Sequence, residues 1–163
     1  MTTALAEKVM LTVVMIGWFF AMPVTGYYCD GIATHSISAH FLYMVSHGNV
    51  WHLLGNLFVL WLWNGELCLS VSAVIAFACS FLPAWGLWPI GMTVGFSGVL
   101  FAMAGIRWGQ SYRPFQDFCL KALPFAVLGV FIPHVNWCIH FYCIVAGFAY
   151  GRCQRKGMSA AHR

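Results

Sequence analysis

A histidine and an asparagine lie four residues apart near the start of an apolar stretch, at His52 and Asn56. Residues at this spacing share one face of a helix, one turn above the other. Both side chains can therefore donate hydrogen bonds in the same direction. A polar clamp between two membrane helices would use the same pair, so the pattern alone leaves both interpretations open.

A serine between glycines opens another apolar stretch, in the order Gly95-Phe96-Ser97-Gly98. Glycines leave the neighbouring hydroxyl uncovered and allow another backbone to approach closely. The start of a helix also leaves backbone N–H groups without intrahelical partners, and these could hold an oxyanion. Gly and Ser at such spacing are also common where membrane helices simply pack together.

The third polar position is His140, at the start of the last apolar stretch. Small residues follow it on its own helical face: Cys143, Gly147 and Gly151. Phe101 and Gly105 follow Ser97 on its own helical face. Two such faces can pack closely, which would bring His140 towards Ser97.

Together these residue types suit hydrolysis of an amide. A serine is a weak nucleophile unless an adjacent base accepts its proton, and His140 can act first as that base and then as an acid. The attacked carbonyl becomes an oxyanion that needs preorganised donors. His52, Asn56 and the backbone N–H of Ser97 are the candidates. Apart from Asp30 in the first loop, no carboxylate accompanies them, so the predicted site is a serine–histidine dyad.

The elements that would position these residues are membrane helices. Of the 163 residues, 61% are hydrophobic and only 7% are charged, whereas a soluble domain has about a quarter charged. Since a membrane-crossing helix needs ~20 mostly apolar residues, the sequence predicts an all-α, polytopic bundle of six transmembrane helices forming one membrane domain over residues 1–163. The predicted spans are 8–26, 49–65, 67–86, 97–109, 118–132 and 137–152.

The distribution of basic residues predicts the orientation. With six spans, one side of the membrane would hold both termini, the 64–66 turn and the 107–121 region. All eight basic residues belong to that side: Lys8, Arg107, Arg113, Lys121, Arg152, Arg155, Lys156 and Arg163. The positive-inside rule then places both termini in the cytoplasm. His52, Asn56, Ser97 and His140 would lie at similar depth near the outer side of a cell (inner) membrane.

Composition also argues against other classes. The net charge is +4 but the basic residues are scattered, and nucleic-acid binding would need a basic patch or stripe. The seven cysteines are odd in number, lie mostly in apolar stretches and form no CxxC pair, which argues against a disulfide framework or a zinc site. The sequence predicts no cofactor and no metal, and it carries no signal for an oligomeric state.

At these residues the chain resembles the rhomboid intramembrane serine proteases in their minimal six-helix bacterial form. The resemblance covers nearly all of the chain from the second span onward. It rests on three motifs: His52-x3-Asn56 with His47 five residues earlier, Gly95-x-Ser97-Gly98 with Gly105 further on, and Asn136-Trp-x-x-His140 with Gly147 seven residues later.

The resemblance implies a role for each of these positions. Ser97 would be the nucleophile, His140 the general base, and His52 and Asn56 would line the oxyanion hole. Phe101 occupies a position where the family often has an aromatic ring stacked on the catalytic histidine. His47 would be a structural hydrogen-bonding residue of the first loop. Substrates would be transmembrane segments of other proteins, entering sideways from the bilayer and unwinding locally.

The sequence departs from the family pattern in three places. Ser38-Ala39 stand near the place where the first loop usually carries a Trp-Arg pair. Cys143 replaces a usual glycine three residues after His140, and Ile139 replaces a small residue before it. The last two changes could widen the contact between spans four and six, but none removes a catalytic group.

Two other functions fit parts of the pattern. A catalytically silent rhomboid-like adaptor would bind transmembrane helices without cutting them, and loss of Ser97 or His140 would be its signature. A metal or ion transporter would place His and Cys ligands at two depths along a path, whereas the histidines of the predicted spans cluster near the outer side. The sequence favours the protease.

Overall fold

The structure, a computed structural model, describes residues 3–22, 36–64, 67–82, 93–122, 124 and 136–161. These residues are all-helical, as predicted, and no β-strand occurs among them. The helices are α1 (Thr3–Ala21), α2 (Ile37–Leu42), α3 (Val50–Leu62), α4 (Leu69–Cys79), α5 (Ser97–Gly109), α6 (Pro114–Asp117) and α7 (Trp137–Ala161). A short π-helical turn, Phe118–Ala122, directly follows α6.

Helices lie within five of the six predicted spans, but α3 and α4 are shorter than the spans 49–65 and 67–86 predicted for them. Helix α5 covers the predicted span 97–109 residue for residue. Helix α1 begins five residues before the predicted start, and α7 continues nine residues beyond the predicted end. Most of span five, 118–132, lies outside the described residues, as do the last residues of the first three spans: 23–26, 65 and 83–86.

The first loop contains a short helix that the sequence analysis did not predict. Helix α2 turns Ala39 and His40 inward and leaves Ile37 and Phe41 exposed. His40 Nδ1 lies 2.7 Å from Ser80 Oγ, and its ring stacks on Phe81 with centroids 3.7 Å apart. This pair attaches the first loop to the end of α4.

Helix α5 lies at the centre of the described bundle, and eight of its residues are buried. Its main neighbour is α7, and the two backbones meet at glycines. A Cβ atom on Gly105 would collide with the carbonyl of Ile144, and one on Gly147 would collide with the carbonyl of Ala102. The small-residue faces of the two helices therefore pack directly together, as the sequence predicted.

Apolar side chains cover much of the outer surface. Among the described residues, α1 is the one helix long and apolar enough to cross a membrane, while α3 and α4 are apolar but shorter. Only Met15 of α1 is buried. Large apolar side chains stand exposed along the other helices as well, including Trp51, Phe58 and Val74. Such a surface suits contact with lipid better than contact with water.

Candidate active site

Ser97 and His140 meet at the N-terminal ends of α5 and α7. Ser97 Oγ lies 2.8 Å from His140 Nε2, within hydrogen-bond distance. Both residues are partly buried. This is the geometry that a nucleophile and its general base require.

His140 stacks on an aromatic ring, and the start of its helix is capped and tied to a neighbouring segment. Its ring stacks on Phe101, one helical turn below Ser97, with centroids 4.3 Å apart and the planes 27° from parallel. Asn136 caps the start of α7, where its Oδ1 accepts a hydrogen bond from the Ile139 N–H at 3.4 Å. Asn136 Nδ2 also donates to Thr93 Oγ1 at 2.6 Å. The segment that leads into Ser97 is thereby joined to the helix that carries His140.

Gly95 allows the oxyanion candidates to approach the nucleophile. Its φ angle of +118° lies in the region that glycine adopts readily and other residues rarely do. A Cβ atom there would lie 2.5 Å from His52 Cε1 and 3.3 Å from Asn56 Nδ2. His52 and Asn56 therefore both face the backbone two residues before Ser97. This packing is consistent with the prediction that the two side chains lie on one helical face and point in the same direction.

The amide of Asn56 is a buried donor that no other described group satisfies. The residue is only 6% exposed, and its Nδ2 has no hydrogen-bond partner among the described residues. Leaving such a donor unpaired costs roughly 1–3 kcal/mol. A clamp between helices would pair this group, whereas an oxyanion-hole donor is kept ready for a charge that forms only during reaction.

Backbone N–H groups at the start of α5 add to these donors. The first hydrogen bonds of the helix run from the N–H groups of Val99 and Leu100 to the Phe96 carbonyl. The N–H groups of Ser97 and Gly98 precede them, and groups at such positions have no acceptor within the helix. Free N–H groups beside a nucleophile are of the kind that can donate to an oxyanion.

His47 lies beside this site in the segment between α2 and α3. It is buried, its Nδ1 lies 3.0 Å from the Val45 carbonyl oxygen, and its ring meets the ring of His52 edge-on at 5.2 Å. Burial, together with repulsion from a charged His52, lowers the pKa of His47 from 6.5 to about 4. His47 is therefore neutral at physiological pH, which suits a structural role in the loop.

Gly98 and Cys143 meet just behind the nucleophile. A Cβ atom on Gly98 would lie 3.3 Å from the Tyr43 hydroxyl and 3.6 Å from Cys143 Sγ. Despite Cys143 and Ile139, α5 and α7 are close enough for Ser97 and His140 to hydrogen bond.

Comparison with known proteins gives no family assignment. The chain matches no protein-family model, and no curated protein matches it either. Interpretation of the site therefore rests on its own residues and geometry.

Most of the predicted site residues lie at or beside the N-terminal ends of α5 and α7, whereas Gly105 and Gly147 lie about two turns further along these helices. Two further residues join the site. Tyr43 accepts a hydrogen bond from the Gly95 N–H at 2.8 Å and donates one from its hydroxyl to the Ala76 carbonyl at 3.0 Å. Thr93 binds Asn136 as described above. Neither lies in a recognisable motif, and only their nearness in sequence to His47 and Ser97 hints at a role.

No group of three or more His, Cys, Asp or Glu side chains in the described ranges could hold a metal ion.

Proposed function

We propose that the chain is a rhomboid-type intramembrane serine endopeptidase that cleaves transmembrane segments of other membrane proteins. One observation carries the proposal: Ser97 Oγ lies 2.8 Å from His140 Nε2, at the start of a helix that small residues hold against the helix bearing the histidine. The unpaired Asn56 amide nearby supports the same interpretation.

The reaction follows from the placement of these groups. His140 Nε2 accepts the hydroxyl proton while Ser97 Oγ attacks the peptide carbonyl. Asn56, His52 and the N–H groups at the start of α5 donate to the oxyanion. His140 then passes its proton to the leaving amine, which leaves an acyl-serine. Water attacks that ester with His140 again as the base, and the acid product and free serine are released.

The proposal includes six membrane spans with both termini in the cytoplasm. Three observations support it: an exposed apolar surface, a first helix long enough to cross a bilayer, and basic residues that fall on one side of the predicted topology. The dyad lies at the starts of α5 and α7, and the predicted topology puts both starts near the outer side. A transmembrane substrate would reach it from the bilayer, and water from the outer face.

Active-site labelling and cleavage test the proposal directly. A fluorophosphonate probe should label the purified native chain but not Ser97→Ala. Ser97→Ala and His140→Ala should each lower cleavage of a transmembrane substrate by at least ~10³-fold, because nucleophile and base act as one unit. Thermal unfolding and membrane insertion should stay close to native. Undiminished cleavage by purified Ser97→Ala would exclude the serine mechanism, and substrate capture without cleavage by the native chain would point to an adaptor.

A further inference from the structure

A second site lies at the opposite end of α5 from the dyad. A cavity of about 290 Å³ opens there, beside the C-terminal end of α3. Its floor is apolar and includes Met103 and Ile106, both almost fully buried. Its rim is polar and includes Asn64, Arg107 and Gln110. Ten residues of helix separate Arg107 from Ser97, or ~15 Å at the usual helical rise.

Arg107 is held at the rim with most of its donors unused. Its guanidinium lies over the ring of Trp63, 5.6 Å from the centroid, and its Nη1 donates to the Asn64 carbonyl oxygen. That is its one hydrogen bond to the part of the chain that the structure describes. A guanidinium has five N–H donors in a planar fork that matches a phosphate. Of the described residues that line the cavity, none carries a carboxylate.

The surroundings of the cavity are also positively charged. Lys8 lies at the same end of α3, where its Nζ donates to the Trp63 carbonyl oxygen at 2.6 Å. In the proposed topology this end of the molecule faces the cytoplasm, whose membrane leaflet is rich in anionic lipid. A cavity at the lower limit of ligand-pocket volumes would take a headgroup rather than a whole lipid.

We propose that this cavity binds the phosphate group of an anionic phospholipid, with Arg107 as its main contact and the adjoining apolar floor facing the first part of the lipid tail. The inference goes beyond the proposed function. It rests on the membrane location of the chain but not on the protease chemistry. The Ser97→Ala protein should therefore bind the lipid as the native chain does.

Cys68 offers a readout that is independent of cleavage. It is exposed and lines the cavity, whereas Cys119 and Cys153 are exposed elsewhere and serve as references within the same chain. The full chain is placed in phosphatidylcholine bilayers with or without phosphatidylglycerol, and the maleimide reaction of each thiol is followed by peptide mass spectrometry. Phosphatidylglycerol at ten times its Kd should slow Cys68 about ten-fold, because only vacant sites react, and should leave the other two cysteines unchanged.

Matched substitutions connect the effect to Arg107. Arg107→Gln should raise the Kd for phosphatidylglycerol about ten-fold or more, because a hydrogen bond from a charged group is lost. The same lipid concentration should then slow Cys68 only about two-fold or less. Arg113→Gln is the matched control, because Arg113 is an exposed arginine on the predicted cytoplasmic side that does not line the cavity. In this variant phosphatidylglycerol should slow the reaction of Cys68 as much as in the native chain. Should Arg107→Gln fail to fold, rising NaCl on the native chain should abolish the protection instead.

Three results would overturn the proposal. Equal protection by pure phosphatidylcholine, whose headgroup is zwitterionic, would show that the site does not select an anionic phospholipid. Equal protection in Arg107→Gln would remove the proposed contact. Protection by inorganic phosphate alone, at the same strength and without anionic lipid, would assign the site to a soluble phosphate. Loss of protease activity with intact lipid protection would overturn only the proposed function.

Discussion

At the scale of single residues, Asn56 is the position where the proposed oxyanion hole and a packing contact predict different results. Its amide is buried next to Gly95 without a hydrogen-bond partner among the described residues, while the ring of His52 packs on the same glycine. A residue that only joined helices would contribute to stability through satisfied hydrogen bonds. A residue that waits for an oxyanion contributes to turnover and little to stability, because its strongest bond forms in the transition state.

Asn56→Ala should therefore lower kcat about 10–1000-fold, since loss of one oxyanion donor costs up to ~10²–10³. His52→Ala should behave in the same way because both side chains face Gly95. The melting temperature of each variant should stay near that of the native chain. The measurements are cleavage rate and thermal unfolding on the same preparations. Lower stability with unchanged turnover in both variants would leave only backbone donors and would remove these two side chains from the oxyanion hole.

The lowered pKa of His47 should make the stability of the fold depend on pH, rather than the rate of cleavage. Its pKa is about 4 in the folded chain, whereas an exposed histidine has a pKa of 6.5. The unfolded chain therefore binds more protons between these values, so stability should fall as the pH drops from about 6.5 to 4. A single group with this difference contributes on the order of 1–3 kcal/mol.

The check compares unfolding of the native chain with His47→Gln across that pH range. Glutamine cannot titrate, so the variant should lose less stability than the native chain on acidification. Above pH 7 residue 47 should contribute no pH dependence to the free energy of unfolding in either protein. A native profile as flat as that of His47→Gln would contradict the assignment, whatever the activity of either protein.

At the scale of helices, the contact between α5 and α7 sets the distance between nucleophile and base. Gly105 and Gly147 each leave no room for a Cβ atom beside a carbonyl of the facing helix. Ser97 and His140 extend from these same two faces, about two turns nearer the helix starts. Any side chain added at the glycines should push the helices apart and lengthen the Ser97–His140 hydrogen bond.

Gly147→Ala should therefore lower both stability, by ~1–3 kcal/mol as for other overpacked contacts, and cleavage rate. Gly17→Ala is the matched control, because a Cβ atom on Gly17 of α1 meets nothing within 4 Å. That control should remain close to native in both measurements. Thermal unfolding and substrate cleavage of the two variants decide the matter. Native behaviour of Gly147→Ala would show that the close backbone contact is not required.

The sequence predicted some elements better than others for physical reasons. Helix α5 matched its predicted span because a glycine-flanked serine begins it and a polar loop follows it. Helix α2 was missed because its six residues mix polar and apolar types, and tertiary contacts of His40 with Ser80 and Phe81 hold it in place. Tyr43 and Thr93 were missed for the same reason, since each acts through a partner distant in sequence. The nearness of Ser97 and His140 was predictable because each begins an apolar stretch and small residues follow it on the same helical face.

At the scale of the whole molecule, the predicted topology puts the basic residues and the proposed Ser97–His140 dyad on opposite sides of the membrane. The eight basic residues fall on one side of the predicted spans, and the dyad residues begin spans that start on the other side. The only ion pair within the described ranges joins Asp117 to Lys121 at 2.9 Å, also on the basic side. Orientation therefore decides which aqueous phase supplies the hydrolytic water, and a test of topology is also a test of substrate access.

A reporter enzyme that works only in the cytoplasm should be active when fused after Arg163 or inserted near Ser111, and inactive when inserted near Thr34. The reason is that basic flanking residues remain on the cytoplasmic side during insertion, and the 27–46 loop contains none. Immunoblots of each fusion control for expression, and a reporter that works only outside the cytoplasm should give the opposite pattern. Activity near Thr34 with silence after Arg163 would move the dyad to the cytoplasmic half of the membrane. Water and substrate would then have to reach Ser97 from the other side, and the proposed lipid contact of Arg107 would face the outer leaflet.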